Sequence, residues 1–342
     1  MRDNLRACWT VCLAAAVALT GGLGGCRKKV QADLVIASPH NRHIETEFAR
    51  AFSDWHKQQF GKAVSIEYRD VGGTTSTTQF LINQYAGSDT SGIDLYFGGG
   101  APDHILLTAK GCTAPVKLPP ELLAALPETI GGVRQYDRDG YWHGTAVSCV
   151  GILYNAKLLA SSQLEPPQRW EDLARPELFG RIAAADASKS GSAKLAYEMI
   201  IQSAPDWPAG WAKLLKIFAN CKSYTTGASD VVNDVANGEI VAGAAIDFYA
   251  FNQIAISGDD LGFTVVAGTT AFTPDPISLL KGAPHEKLAK RFIEFVLSAQ
   301  GQALWCLPAG ATGGPRDHAL YRQPIRRDVY RKYQGKMLAP LV

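Results

Sequence analysis
The sequence predicts an α/β protein of two lobes, each a mostly parallel sheet flanked by helices, with two hinge crossings between them. Three features carry that expectation. Short β-rich runs alternate with amphipathic stretches along the first third of the chain, which is the signature of a parallel sheet. Near the middle of the 342 residues, positions 144–155 form a small, apolar, β-branched run that turns through Asn155-Ala156-Lys157 into a helical pattern. A buried strand reads this way where it leaves one globular unit and enters another. Finally, three successive predicted strands end in loops of small polar residues, and open α/β sheets bind ligands outside the carboxyl ends of their strands.

Composition narrows the class. Hydrophobic residues make up 46% and charged residues 19%, enough for a sizeable core and too apolar for global disorder. A formal charge of +2 argues against a nucleic-acid partner, since only the Arg326-Arg327 neighbourhood stands out as basic. That neighbourhood reads as a solvated helix end.

Residues 1–25 read as a lipoprotein signal peptide. Arg2 and Arg6 supply a charged start, and 9–20 is an apolar run too short for a comfortable membrane span. Leu23-Gly24-Gly25-Cys26 then precedes Arg27-Lys28-Lys29, a pattern resembling a bacterial lipobox. Cys26 is the expected lipidation site, with 26–32 as a lipid-anchored linker on the periplasmic side of a bacterial membrane, or on the cell surface of a single-membraned cell.

The first lobe is expected at 33–146 plus 257–342, and the second at 147–256. Strands are expected at 33–38, 63–68 and 93–97, and helices at 42–60, 77–85 and 102–110. Ile44, Phe48, Phe52 and Trp55 recur near helical spacing in the first helix. The loops after the three strands bring Ser38, His40 and Asn41, then Gly73, Thr74 and Thr75, then Gly99 and Gly100 to one wall. Helix N-termini carry unpaired N–H groups and favour anions, and glycines let a ligand approach the backbone. Ordinary capping and turn chemistry explains each loop equally well on its own.

In the second lobe, Ser190, Gly191 and Ser192 open another hydroxyl-rich helix. A capped helix stops at Gly238, a small-residue strand covers 240–246, and Asp247-Phe248-Tyr249 starts the next helix. Positions 261–266 read as the strand back to the first lobe. Asp275 lies between Pro274 and Pro276, which stiffen its backbone. Ser148 is expected at the cleft floor, with Cys149 facing the packed side. Asp247 and Asp275 suit a ligand amine or sugar hydroxyls. Cys112, Cys149, Cys221 and Cys306 can form up to two disulfides after export, or none.

Several stretches in order resemble the type 2 periplasmic solute-binding proteins of ABC importers, in the branch of ferric-ion, phosphonate, sugar-phosphate and polyamine binders. They are the segment at Cys26, Ser38-Pro39-His40-Asn41, Val150-Gly151-Ile152-Leu153-Tyr154-Asn155, Trp170-Glu171-Asp172-Leu173, Ser190-Gly191-Ser192, Asn237-Gly238-Glu239 and Ala283-Pro284-His285. The resemblance implies closure of two lobes around a small ligand and delivery to a permease with its ATPase by a monomer. Ferric binders of the family hold iron with an adjacent tyrosine pair, a histidine and a carboxylate. Here only Tyr249 stands at the tyrosine place, beside Phe248 and Ala250, and His40 lies in the first loop. A phosphorylated or carboxylated organic anion is therefore the expected ligand. Ferric iron on Tyr249 and His40 is the alternative, and a cationic ligand a further one. No cofactor is expected. No hydrolase elbow, zinc helix or phosphate-loop motif is present, so no enzyme is expected. A lipid-anchored sensor and a secreted hydrolase assembled from distant residues remain the rival functions.

Overall fold
The computed structural model describes residues 32–338. The expected signal segment and Cys26 lie outside the described residues. The chain first lays down β1 (Leu34–Ala37), α1 (Arg42–Phe60), β2 (Ile66–Arg69), α2 (Thr74–Tyr85), β3 (Leu95–Phe97) and α3 (Ala101–Ala109). Asn41 caps α1 by accepting the Ile44 N–H at 3.1 Å, and Gly61 ends the helix at φ 75°. Between these caps Ile44, Phe48 and Phe52 form one buried face, the spacing a core-facing helix requires. β4 (Thr113–Ala114), α4 (Pro120–Ala124) and the small hairpin of β5 (Thr129–Ile130) and β6 (Val133–Arg134) follow.

β7 (His143–Ser148) and β8 (Val150–Asn155) make the first crossing, with Cys149 alone between them. The second lobe adds α5 (Ala156–Ser161), β9 (Ile182–Ala185), α6 (Gly191–Gln202), α7 (Trp207–Ala219), β10 (Cys221–Thr225), α8 (Ala228–Ala236), β11 (Ala242–Ile246), α9 (Asp247–Ser257) and β12 (Leu261–Thr264). The chain then returns through β13 (Thr273–Leu280), α10 (Glu286–Leu297), α11 (Ala299–Cys306), β14 (Gln323–Pro324) and α12 (Arg327–Lys332).

The strands form one sheet in the order β14-β7-β13-β3-β1-β2, with β4 beside β13, and another in the order β10-β9-β11-β8-β12. Separate apolar cores lie against them. Phe48, Phe97, Phe292 and Trp305 pack with the first, and Trp170, Ile182 and Leu214 with the second. Further apolar clusters, around Val231 and Val235 and around Leu81 and Leu107, complete the packing of the two sheets.

Two expectations need correction. Each sheet is mixed rather than mostly parallel: β1, β2 and β3 pair in parallel, as do β9, β10 and β11, but β13 and β8 pair antiparallel with their neighbours. The antiparallel members are the strands that enter and leave the crossings. The second lobe also extends further than 256. β12 pairs with β8 inside the second sheet, so the return crossing is 265–272 and not a strand at 261–266. Cys112, Cys149, Cys221 and Cys306 are free thiols, and no disulfide joins them among the described residues. No helix among the described residues is long and apolar enough to cross a membrane.

Candidate functional site
The sheet edges and crossings enclose a cleft of ≈ 540 Å³. Its floor is a buried polar cluster. Asp275 reaches the cleft beside an irregularity in the β13–β7 register between Asp275 and Pro276, where the strand has a proline on each side. Bulges of this kind re-aim side chains. His40 Nε2 lies 2.8 Å from Asp275 Oδ2, and Arg322 Nη1 donates to the same oxygen. Arg322 Nη2 donates to Ser148 Oγ at 2.9 Å. The guanidinium carbon is 4.1 Å from the Phe248 ring centroid and 5.1 Å from that of Trp305, within cation–π range. Burial pushes the Asp275 carboxyl up, but the Arg322 charge and His40 outweigh it and hold Asp275 below the ordinary carboxylate value.

Arg322 is held from behind. The antiparallel register of β14 on β7 pairs Gln323 with Val147, which brings Arg322 alongside Ser148. The buried Gln302 side chain staples that pairing, donating to the Thr145 carbonyl at 2.6 Å and accepting the Ile325 N–H at 2.8 Å. The Arg322 N–H bonds the Trp305 carbonyl at 2.9 Å.

The walls are helix starts. α2 begins at Gly73 with no side-chain cap, so its first N–H groups are left for another partner, whereas at the start of α3 Pro102 has no N–H and the Asp103 N–H bonds the Gly100 carbonyl at 3.1 Å. Gly99, at φ 89°, fits the left-handed turn and the packing behind it: a Cβ there would lie 2.6 Å from the Tyr96 hydroxyl. Asp103, in the first turn of α3, accepts from Thr78 Oγ1 at 2.9 Å, and burial raises its carboxyl. From the second lobe, α6 presents Gly191, Ser192, Lys194 and Glu198. The two lobes touch at the mouth. A Cβ on Gly73 would lie 2.6 Å from the Lys189 carbonyl oxygen, and one on Gly191 would lie 3.0 Å from Thr74 Cβ.

Of the residues expected from sequence, His40, Asn41, Thr74, Gly99, Gly100, Ser148, Gly191, Ser192, Tyr249 and Asp275 line the cleft. Ser38, Gly73, Thr75, Ser190 and Asp247 do not. Ser38 is buried and its hydroxyl accepts the His40 N–H at 3.1 Å, shaping the loop. Gly73 serves the contact between lobes. Thr75 belongs to the first turn of α2 behind Thr74. Ser190 caps α6 by accepting the Ala193 N–H at 3.3 Å. Asp247 holds the hinge. Its carboxylate accepts the N–H of Cys149 at 3.2 Å and of Phe248 at 2.8 Å, and its own N–H bonds the Cys149 carbonyl at 3.0 Å. Burial pushes this carboxyl up to about 7, against the nearby Arg322 charge and the two backbone donors. Burial likewise raises the Tyr249 phenol. Trp142 lines the cleft while remaining buried, so packing and cleft roles coincide.

Sequence reasoning missed Arg322, Lys194 and Glu198. No motif marks Arg322, a single arginine after Tyr321 whose place depends on strand pairing. Lys194 and Glu198 were legible as an i, i+4 pair on a helix beginning at a candidate loop.

A family model described as bacterial extracellular solute-binding protein matches residues 89–320. The phosphoglycerate transport regulatory protein PgtC of Salmonella typhimurium is 33% identical over 159 residues, 46% of this chain and 39% of that protein. The match therefore spans about two fifths of that curated relative's length. The periplasmic binding protein AfuA of Actinobacillus pleuropneumoniae, solved with exogenous fructose-6-phosphate bound, is similar at 22% identity and TM-score 0.67 over 79% of this chain and 80% of that one. Iron-bound HitA from Pseudomonas aeruginosa is similar at 19% identity and TM-score 0.67 over 90% of this chain and 89% of that one. The shared architecture is the two-lobed periplasmic binding protein fold.

Proposed function
The chain belongs to the bacterial extracellular solute-binding protein family, and from that premise we propose that it binds a phosphorylated or carboxylated organic anion and delivers it to an ABC import permease. The protein is held at the membrane by lipid on Cys26 and returns its ligand unchanged. The observation that carries the anion is the convergence of the uncapped N-terminus of α2 with Lys194 and Arg322 on one cleft. Unpaired N–H groups and a partial positive charge at that helix start favour an anion there. Two similar proteins, a phosphoglycerate transport regulatory protein and a binding protein solved with fructose-6-phosphate bound, support the same class.

Ferric iron is the second reading, because His40, Asp275 and Tyr249 line the same cleft and HitA carries iron on this fold. The resident guanidinium weighs against it. Arg322 already occupies Asp275 Oδ2 and stands 3.3 Å from His40 Nε2. Two unit charges at 4 Å repel by about 4 kcal/mol at an effective dielectric near 20, and a trivalent ion multiplies that. Burial also opposes the phenolate that iron needs from Tyr249. A ligand sensor differs from an importer component only in the partner of the closed form.

A thermal-shift panel of 3-phosphoglycerate, fructose 6-phosphate, phosphonates, polyamines and ferric salts tests the reading. A phosphorylated anion at about a hundred times its Kd adds about 2.7 kcal/mol of stability. Stabilisation by ferric salts alone, or iron retained through purification, sinks the anion reading.

A further inference from the structure
A second hollow of ≈ 600 Å³ lies beyond the cleft mouth, between α6, α7 and β10. Aromatic rings line it. Phe218 meets Tyr224 edge-to-face at 5.8 Å, and Trp207 meets Trp211 in the same way at 5.8 Å. Trp207 is 65% exposed, Trp211 40% and Tyr224 61%. Large aromatics left to solvent around one hollow mark a binding surface. The hollow and the cleft share two lining residues, Lys194 and Glu198, one turn apart on α6. Neither makes an ion pair with another described residue within 4.0 Å.

We propose that this hollow is a ring-binding subsite continuous with the cleft, so that the ligand is an organic anion carrying a planar ring. The anionic group lies in the cleft beneath Lys194, and the ring stacks beyond it among Trp207, Trp211 and Tyr224. This rests on the anion reading of the cleft. The chemistry supports it on two counts. Indole and phenol faces accept any flat ring without sequence of hydrogen bonds to satisfy, and each stacked base is worth roughly fivefold to a hundredfold in affinity when the aromatic is removed. Lys194 on the shared ridge faces both spaces and pairs with an anion at their junction, while Glu198 beside it accepts from a ring N–H or a sugar hydroxyl.

The experiment titrates the full mature chain with inorganic phosphate, ribose 5-phosphate, adenosine 5′-monophosphate and neutral adenosine, reading heat and tryptophan fluorescence. In the parent protein adenosine 5′-monophosphate binds at least about tenfold more tightly than ribose 5-phosphate. The double variant Trp207→Ala/Trp211→Ala abolishes that advantage and leaves ribose 5-phosphate affinity unchanged, while Trp207→Phe/Trp211→Phe keeps most of it. Both tryptophans are exposed, and circular dichroism reports whether the variants stay folded. Equal affinity for the two phosphates in the parent, or an advantage that survives the alanine variant, overturns the subsite and leaves the anion reading standing. If no phosphate binds while adenosine still changes the tryptophan fluorescence, the anion reading fails and the ring site survives without it. If adenosine is silent too, both fail.

Discussion
On the cleft floor, Arg322 is 2% exposed and committed to Asp275, Ser148 and two aromatic faces. On the facing wall, Lys194 is exposed and Glu198 half-buried, and the Lys194 charge reaches Asp103 only through space, lowering its carboxyl against the larger effect of burial. The floor is assembled by folding. It joins residues from the first loop, the first crossing, the return strand and the C-terminal segment, and its bonds exist before a ligand arrives. The wall is one helix face whose side chains wait in solvent. A preformed floor lowers the ordering cost of binding, whereas a loose wall lets a ligand select its contacts as the lobes close. Loss of a floor residue is therefore expected to lower stability, and loss of a wall residue only to weaken binding.

The largest break comes from the floor. Asp275→Ala leaves the Arg322 charge buried without its carboxylate, and loss of one partner from a buried pair costs about 3–5 kcal/mol. Denaturant unfolding is expected to show a midpoint shift of that size. A loss below ~1 kcal/mol would mean that the guanidinium finds water and the floor is not preformed.

Asp247 predicts a pH dependence. In the native state its carboxyl keeps its proton up to about 7, whereas in the unfolded chain it releases it near the ordinary 3.8. Between those values the native state binds more protons. This group's contribution is therefore fully present below about pH 4 and is lost as pH rises through about 7. Roughly three pH units at ~1.4 kcal/mol each set an upper size of about 4 kcal/mol. Asp247→Asn is expected to flatten the fall in melting temperature across that window, and an unchanged slope would remove Asp247 as its source.

The wall should give smaller effects, confined to binding. Lys194→Ala is expected to weaken a phosphorylated ligand about tenfold, ~1.4 kcal/mol, while stability changes by less than about 0.5 kcal/mol. Calorimetric titration beside a melting curve separates the two. The smallest change is at the mouth. Gly73 has φ −66°, so alanine is locally comfortable there, but its Cβ meets the Lys189 carbonyl only when the lobes touch. Gly73→Ala should shift the ligand-free protein towards a more open form by small-angle scattering, with affinity reduced a few-fold. An unchanged scattering profile would deny the mouth contact its role in closure.

The difference in legibility follows the same division. α1 appears at 42–60, as expected from apolar spacing and end signals within that segment. The loops at His40, Thr74 and Gly99 reach the cleft because strand ends of a parallel run share one edge. By contrast, β12 was expected to start the return to the first lobe and instead pairs with β8, since no local pattern names a strand's partner. Asp247 looked like a ligand residue because it opens a helix at the sheet edge. The bonds to Cys149 that make it a hinge residue depend on β11 lying beside β8.

The crossing at 144–155 thus shows both limits. Its apolar, β-branched run by itself determined that a buried strand leaves one lobe for the other, because burial on both faces demands such residues at every position. The alternation of strand and helix likewise determined two α/β lobes and the edge on which their loops meet. Only the tertiary structure decided what stands on the cleft floor. β14 must pair with β7 before Arg322 can meet Ser148, and β13 must lie between β7 and β3 before Asp275 can meet Arg322 and His40. Those encounters join residues up to 235 positions apart, and long-range pairing is settled by packing the whole sheet rather than by any local preference of the chain.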